Sequence, residues 1–83
     1  MKYVYLLRST SNPSKTYIGL TDNLNRRLDE HNAGKTPHTS KHLPWKIEVA
    51  VRFESDERAI EFERYLKSGS GHAFAKRHLW ARQ

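Results

Sequence analysis

Hydrophobic residues cluster in three short segments of the chain that have the composition of β-strands. These segments are rich in β-branched and aromatic residues: KYVYLLRS (2–9), KTYIG (15–19) and WKIEVAVRF (45–53). The residues TSNPS between the first two favour a turn, so we expect a hairpin with a loop of about five residues. In the third segment apolar and polar residues alternate, which predicts a half-buried strand. Its expected inward side chains are Trp45, Ile47, Val49, Val51 and Phe53.

A helix is predicted after the hairpin. Apolar residues recur at helical spacing from Asp22 to Ala33, and Thr21 or Asp22 has the side chain of an N-cap residue. Gly34 is expected to end this helix in the left-handed conformation. The basic and polar segment GKTPHTSKHLP follows it, and its two prolines and polar composition predict a loop.

Two further helices are expected after the third strand. Ser55 is suited to be the N-cap of the second helix, which runs to about Ser68, where the sequence GSG breaks it. A last short helix is predicted from Ala73 to about Ala81. The resulting order is β-β-α-β-α-α, in which helices pack on a small sheet within a single domain over residues 1–83. The expected fold class is α/β in the broad sense, of the α+β type.

The first predicted helix places two polar side chains on its inner face. At about 100° per residue, Leu24 and Leu28 define that face, and both Arg27 and His31 fall on it. Arg26 falls on the opposite side of the helix and is expected to point toward solvent.

The second predicted helix repeats this arrangement. Its inner face is defined by Ala59, Phe62 and Leu66. Glu63 lies on the same face, whereas Glu61 is expected to point toward solvent. A charged side chain on an inner face costs stability unless a partner or a function compensates for it.

The composition leaves little apolar surface from which to form a core. The chain has 83 residues, of which 36% are hydrophobic, and its mean hydropathy is −0.88. A domain of this size buries only about 60–65% of the surface of its unfolded chain. The apolar positions are therefore all needed, and charged residues among them require an explanation.

The chain is basic, with 15 lysines and arginines against nine acidic residues and a net charge of +6. This excess favours a polyanionic partner, either nucleic acid or an anionic membrane, although it also serves solubility. The absence of cysteine excludes disulfides and thiolate zinc sites and is typical of a reducing compartment. The apolar run of residues 3–7 is too short for a signal peptide or a transmembrane helix, so we expect a cytoplasmic protein without membrane contacts.

The polar residues on the inner faces have two interpretations. Each alone fits a structural role: Arg27 and Glu63 as an ion pair with each other, His31 as a core histidine, and Tyr5 and Tyr17 as strand aromatics. Together they supply the groups that phosphodiester hydrolysis requires. A carboxylate binds a hard divalent cation, a guanidinium neutralises phosphate, and a phenol or an imidazole moves a proton. The combination favours a site over five unrelated residues.

Short motifs also follow one another in a specific order. YVY stands at 3–5 and YIG at 17–19. An arginine follows the tyrosine of YIG by ten residues, and a histidine follows that arginine by four. The pattern E-x-x-x-K then precedes GSG. This set resembles the GIY-YIG nuclease superfamily, and ERAIEFERYLKSGSGHAFAKRHL is similar to its small stand-alone bacterial single-domain branch. The resemblance covers essentially the whole chain. It implies a three-stranded antiparallel sheet flanked by helices, and a metal-dependent DNA endonuclease that hydrolyses phosphodiester bonds in DNA repair or processing.

The resemblance also assigns roles to individual residues. It implies that the catalytic residues are Tyr5, Tyr17, Arg27, His31 and Glu63. Glu63 would bind one Mg²⁺ or Mn²⁺ ion, which stabilises the leaving 3′ oxygen. Tyr17, assisted by His31, would accept a proton from the attacking water, and Arg27 would stabilise the charge on pentavalent phosphorus. Tyr5 would position water or phosphate.

Two positions depart from the family pattern. Tyr3 replaces the glycine of the first motif, and the asparagine that many members carry after the glutamate is missing, because no Asn follows residue 32. Ser68 or Ser70 is a candidate for that supporting role, or the role is unfilled. A second hypothesis therefore stays open, namely a catalytically weak or inactive nucleic-acid-binding module of the same fold.

Other basic residues are candidates for contacts to the DNA backbone, unless they are only solvated surface charges. They lie in the loop after the first helix and near the C-terminus: Lys35, His38, Lys41, His42, Lys67, Lys76 and Arg77. Backbone contacts carry no sequence information directly, so a weak sequence preference is expected. The two loop histidines are not expected to bind metal, because the flanking prolines argue against the helix that their spacing would require.

Overall fold

Strand β1 is the centre of a three-stranded antiparallel sheet with the order β2-β1-β3. The computed structural model describes residues 1–81. Its elements are β1 (Lys2–Ser9), β2 (Thr16–Thr21), α1 (Leu24–Asn32), β3 (Trp45–Phe53), α2 (Asp56–Leu66) and α3 (Gly69–His78). The predicted element order and the α+β fold class are confirmed. Within residues 1–81, no helix has the length and apolar character needed to cross a membrane.

The sheet is covered on both faces, which is why β1 is buried along most of its length. On one face, Val4 and Leu6 pack with residues of α2 and α3. On the other face, Tyr5 and Leu7 pack with the apolar side of α1 and with Trp45. Successive side chains of β1 point to opposite faces of the sheet, and the two faces therefore belong to two separate small cores.

The predicted inner face of β3 is wrong, because the strand contains an irregularity. Leu6 pairs with Val49 and Leu7 pairs with Ile47, so Glu48 is an extra residue in β3. An extra residue reverses the direction of every side chain beyond it. The first apolar side chains of β3 accordingly lie with α1, and the later ones lie with α2 and α3.

The N-cap of α1 differs from the predicted one. Asn23, and neither Thr21 nor Asp22, accepts a hydrogen bond from the backbone N–H of Arg26, at 3.0 Å. The hydroxyl of Thr21 instead accepts from the backbone N–H of Asn23. Gly34 has a φ of 76°, which confirms the predicted left-handed end of this helix.

The sequence GSG forms the first turn of α3, whereas we predicted only a helix break and a later start. The predicted cap Ser55 of α2 is confirmed. Ser68 caps α3, since its hydroxyl accepts from the backbone N–H of Gly71 at 3.2 Å. Gly71 is needed where α3 crosses the end of α2: a Cβ atom there would lie 1.7 Å from the carbonyl oxygen of Tyr65.

Gly71→Ala should therefore destabilise the chain. The added methyl group overlaps backbone rather than a movable side chain, so we expect a loss of at least about 1–3 kcal/mol in the free energy of unfolding. Urea denaturation followed by circular dichroism measures this loss. Gly69→Ala is the matched control in the same turn, because a Cβ atom at residue 69 meets no atom within 4 Å. Equal losses in the two variants would contradict the close approach.

Candidate functional site

The two polar residues predicted on the inner face of α1 lie there in the structure. His31 is completely buried, and the Arg27 side chain is 32% exposed. Arg26 is 58% exposed and pairs with Asp22, as expected for the solvent side of the helix. The helical periodicity therefore predicted the orientation of these side chains correctly.

The hydroxyl of Tyr5 joins both residues of α1. It lies 2.9 Å from Nε2 of His31 and accepts a hydrogen bond from Nε of Arg27 at 3.2 Å. Gly19, on the adjacent strand, leaves the space that this hydroxyl occupies, because a Cβ atom there would lie 2.3 Å from it. The glycine of the YIG motif thus has a packing reason in this chain.

Tyr17 completes the group. Its ring meets the ring of His31 edge-on, with 5.0 Å between centroids, and lies 6.4 Å from the ring of Tyr5. Tyr17 is half-buried, whereas Tyr5 is buried. Within residues 1–81 the Tyr17 hydroxyl has no hydrogen-bond partner, which leaves it available to a bound molecule.

The surroundings favour neutral forms of the two buried groups. Burial raises the pKa of the Tyr5 hydroxyl, and this outweighs the opposing effect of Arg27. Burial, together with the positive charge of Arg27, lowers the pKa of His31. The pKa of Arg27 is raised by its hydrogen bonds to Tyr5 and Glu30. The site is therefore a neutral buried pair beside a permanent, partly exposed positive charge.

Two residues that contact this group were not among the sequence candidates. Glu30 pairs with Nη1 of Arg27 at 3.0 Å, and Thr39 Oγ1 lies 2.8 Å from Nδ1 of His31. The i,i+3 spacing of Arg27 and Glu30 was a signal that could have found the first residue. No local pattern indicates the second, because Thr39 lies in the loop and reaches His31 only when the loop folds back.

Hydrogen bonds at the two ends of the loop hold it in place. The Asn32 side chain accepts from the backbone N–H of Trp45 at 2.6 Å and donates to its carbonyl oxygen at 3.0 Å. The indole N–H of Trp45 donates to the carbonyl oxygen of Thr39 at 2.8 Å. Trp45 thus has a structural role, and it fixes the backbone that carries Thr39.

Glu63 lies on α2, which packs on the face of the sheet opposite α1. Its side chain is 19% exposed, against 58% for Glu61, so its predicted inward orientation is correct. Its ion-pair partner is Lys67, one turn later, whereas Arg27 pairs with Glu30. The alternative of a structural ion pair between Arg27 and Glu63 is therefore wrong.

The chemistry of Glu63 fits a divalent cation in one respect. Mg²⁺ prefers oxygen ligands and is commonly held by one or two carboxylates, with water and substrate phosphate completing its shell. Among residues 1–81, no group of three or more histidine, cysteine or acidic side chains is placed to hold a metal ion. The described part of the chain thus offers fewer than three such ligands around Glu63, and a cation there would depend on water and phosphate for most of its shell.

The candidate DNA-contacting residues differ in their surroundings. Most are exposed, as backbone contacts require: Lys35, His38, Lys41, Lys76 and Arg77. His42 is half-buried and its ring meets Trp45 edge-on, and Lys67 is paired with Glu63. The hydroxyl of Ser68, a candidate for the role of the missing asparagine, is occupied as the α3 cap, while Ser70 is exposed in the same turn.

Comparison with protein families matches residues 1–77 to the GIY-YIG catalytic domain. Among curated proteins, the chain is 39% identical to the structure-specific endonuclease subunit SLX1 of Candida dubliniensis and to that of Debaryomyces hansenii. Each match covers 92% of this chain. A homolog from Giardia intestinalis is 35% identical over 65 residues, which are 74% of this chain and 18% of the relative.

The chain spans only about a quarter of the length of the first two relatives, 28% and 23%. These relatives come from eukaryotes and give no support to the predicted bacterial branch. The implied three-stranded antiparallel sheet flanked by helices is confirmed.

The stability of the chain should fall on acidification because of His31. The pKa of His31 is lowered in the folded chain, so the unfolded chain binds a proton more readily. The free energy of unfolding should be greatest above about pH 6.5, the usual pKa of histidine, and should fall as the pH drops toward the folded-state pKa. One proton gives a slope of at most about 1.4 kcal/mol per pH unit, which urea denaturation at a series of pH values measures.

His31→Gln should flatten this pH dependence, whereas His38→Gln, at an exposed loop position, should preserve it. An unchanged slope in His31→Gln would show that His31 is not the group responsible.

Proposed function

This chain belongs to the family of GIY-YIG catalytic domains, and on that basis we propose that it is a divalent-metal-dependent DNA endonuclease that hydrolyses phosphodiester bonds. The proposal treats residues 1–83 as one nuclease domain. The assignment of this chain to the small stand-alone bacterial branch stays a prediction, which the eukaryotic relatives do not support.

The observation that carries the proposal is the way Arg27 is held. Its Nε donates to Tyr5 and its Nη1 to Glu30, so two nitrogen atoms of the guanidinium are fixed by the protein. Within residues 1–81 its Nη2 has no hydrogen-bond partner. An oriented, permanently charged donor at a partly exposed position is suited to stabilise the negative charge that develops on phosphorus.

The roles of the other residues follow from their exposure. The Tyr17 hydroxyl has no partner among residues 1–81, so Tyr17 is the phenol that would position the attacking water and accept its proton. Tyr5 and His31 are buried, so they would act through Arg27 and Tyr17 rather than by touching the phosphate. This changes the expected role of Tyr5 from contact with the substrate to orientation of Arg27.

Glu63 is the carboxylate that would hold a divalent cation, Mg²⁺ or Mn²⁺. When bound, such an ion neutralises charge on the scissile phosphate and its leaving oxygen. Lys67 competes for the same carboxylate and would have to release it.

The basic character of the chain and the names of its relatives suggest the substrate class. With a net charge of +6, the chain would bind DNA mainly through the backbone, with little dependence on sequence and a steep dependence on salt. The curated relatives are named structure-specific endonuclease subunits. We therefore favour branched DNA as the substrate and a place in DNA repair or processing. The word subunit in the names of the relatives favours a protein partner as well. The chain is still expected to be cytoplasmic.

Two observations favour the alternative of a binding module with little or no turnover. The candidate metal ligand Glu63 is neutralised by Lys67, and no asparagine follows it in the sequence. The deciding experiment incubates the full chain with branched, supercoiled and single-stranded DNA in Mg²⁺ or Mn²⁺, with EDTA as control. Binding without metal-dependent cleavage, in several independent preparations, would select the binding module.

Arg27→Ala should abolish most of the cleavage and leave the fold intact. We expect kcat to fall by about 100-fold or more, the usual effect of removing one oriented donor from a transition state. The free energy of unfolding should fall by no more than about 1–2 kcal/mol, because the lost ion pair with Glu30 is partly exposed and the Tyr5 hydroxyl, which loses one hydrogen bond, keeps its bond to His31. Arg26→Ala, one residue earlier and on the solvent side, is the control and should retain activity. Similar losses of activity in both variants would refute the site.

The Glu63→Gln variant distinguishes two roles of Glu63, that of a metal ligand and that of a structural ion-pair partner. Its partner Lys67 is half exposed, and an i,i+4 pair of this kind contributes only about 0.3–0.5 kcal/mol, so thermal stability should hardly change. Metal-dependent cleavage should be lost, while DNA binding persists or tightens because a negative charge is gone. Glu61→Gln, which removes a carboxylate from the exposed side of α2, should alter neither property. A Glu63→Gln variant that still cleaves DNA would exclude Glu63 as the metal ligand.

A further inference from the structure

We propose that Thr39 is a positioning residue, which fixes the proton of His31 on Nδ1 so that Nε2 accepts the Tyr5 hydroxyl hydrogen and the Tyr5 oxygen stays oriented toward Arg27. The inference rests on the proposed function, since Arg27 is the group whose orientation matters for cleavage. It assigns a role in the site to the loop between α1 and β3.

The hydrogen bonds of Tyr5 determine the directions in this network. Among residues 1–81, the Tyr5 hydroxyl has two partners, Nε2 of His31 and Nε of Arg27. A guanidinium can only donate, so the hydroxyl hydrogen of Tyr5 has one acceptor, which is Nε2 of His31. A buried hydroxyl that failed to donate would cost the free energy of an unmade hydrogen bond. Nε2 must therefore carry no proton.

The proton of neutral His31 then lies on Nδ1, which faces Thr39. Nδ1–H donates to Thr39 Oγ1 at 2.8 Å, and the threonine hydroxyl donates in turn to the carbonyl oxygen of Thr36 at 3.4 Å. The opposite arrangement, with Thr39 donating to Nδ1, would place the proton on Nε2 and leave the Tyr5 hydroxyl hydrogen without an acceptor. The lowered pKa of His31 agrees with a neutral ring.

Thr39 is itself held firmly. Its side chain is completely buried, its backbone N–H donates to the carbonyl oxygen of Thr36, and its own carbonyl oxygen accepts from the Trp45 indole. Because the backbone on both sides is fixed, the threonine hydroxyl has a defined position relative to the imidazole. In metal sites, losing a residue that orients a histidine by binding its second nitrogen typically changes activity by about 10–100-fold, and we expect an effect of similar size at His31.

The test uses Thr39→Val, which keeps the shape and removes the hydroxyl, and Thr39→Ser, which keeps the hydroxyl. Ser40→Ala is the control: it removes another hydroxyl from the same loop, one that bonds to the carbonyl oxygen of Pro37 and does not contact His31. ¹⁵N NMR of the imidazole in the full chain shows which ring nitrogen carries the proton. Cleavage assays on the same samples give kcat and KM.

We expect the wild-type chain, Thr39→Ser and Ser40→Ala to carry the His31 proton on Nδ1, and Thr39→Val to lose that preference. In Thr39→Val, kcat should fall by about 10–100-fold with little change in KM, and Thr39→Ser should restore most of it. A wild-type proton on Nε2 would overturn the proposal, as would full activity in Thr39→Val. If Thr39→Val does not fold, Thr39→Ala, which removes the same hydroxyl, takes its place, and a proton that stays on Nδ1 with full activity in that variant would overturn the proposal. Because NMR needs no cleavage, a chain that lacks nuclease activity would refute the proposed function without affecting this result.

Discussion

The buried hydroxyl of Tyr5 is the constraint on which the rest of the site depends. Both faces of β1 are covered, so a polar atom that points from this strand toward α1 must find its partner inside the protein. His31 and Arg27 are those partners, and Gly19 keeps open the space for the hydroxyl. The two polar residues on the inner face of α1 thus share one buried hydrogen-bond partner, the phenol of Tyr5.

Sequence periodicity was sufficient for features that depend on local geometry. A helix has a fixed number of residues per turn, so the inward positions of Arg27, His31 and Glu63 followed from their spacing to apolar neighbours. The element order could be predicted for the same reason, because caps, turn residues and alternation act within a few residues.

Features that depend on distant contacts could not be predicted in this way. Glu48 is an extra residue in β3, and its carboxylate is held by Arg8 of β1 at 2.7 Å, a pairing that alternation within one strand cannot reveal. The early start of α3 depends on how closely Gly71 approaches the end of α2. Thr39 meets His31 from a loop whose backbone is held by the Trp45 indole. In each case the tertiary structure decides between local alternatives.

The location of a bound phosphate is limited by the placement of the candidate groups on two sides of the sheet. Arg27 comes from the helix on one face and Glu63 from a helix on the other, and a sheet separates its two faces everywhere except at its edges. β2 is an edge strand, it carries Tyr17, and α2 packs against it. A phosphate held by Arg27 and, through a cation, by Glu63 would therefore have to lie at an edge of the sheet. Of the two edge strands, β2 is the one that carries Tyr17, which is half-buried, so we favour the β2 edge.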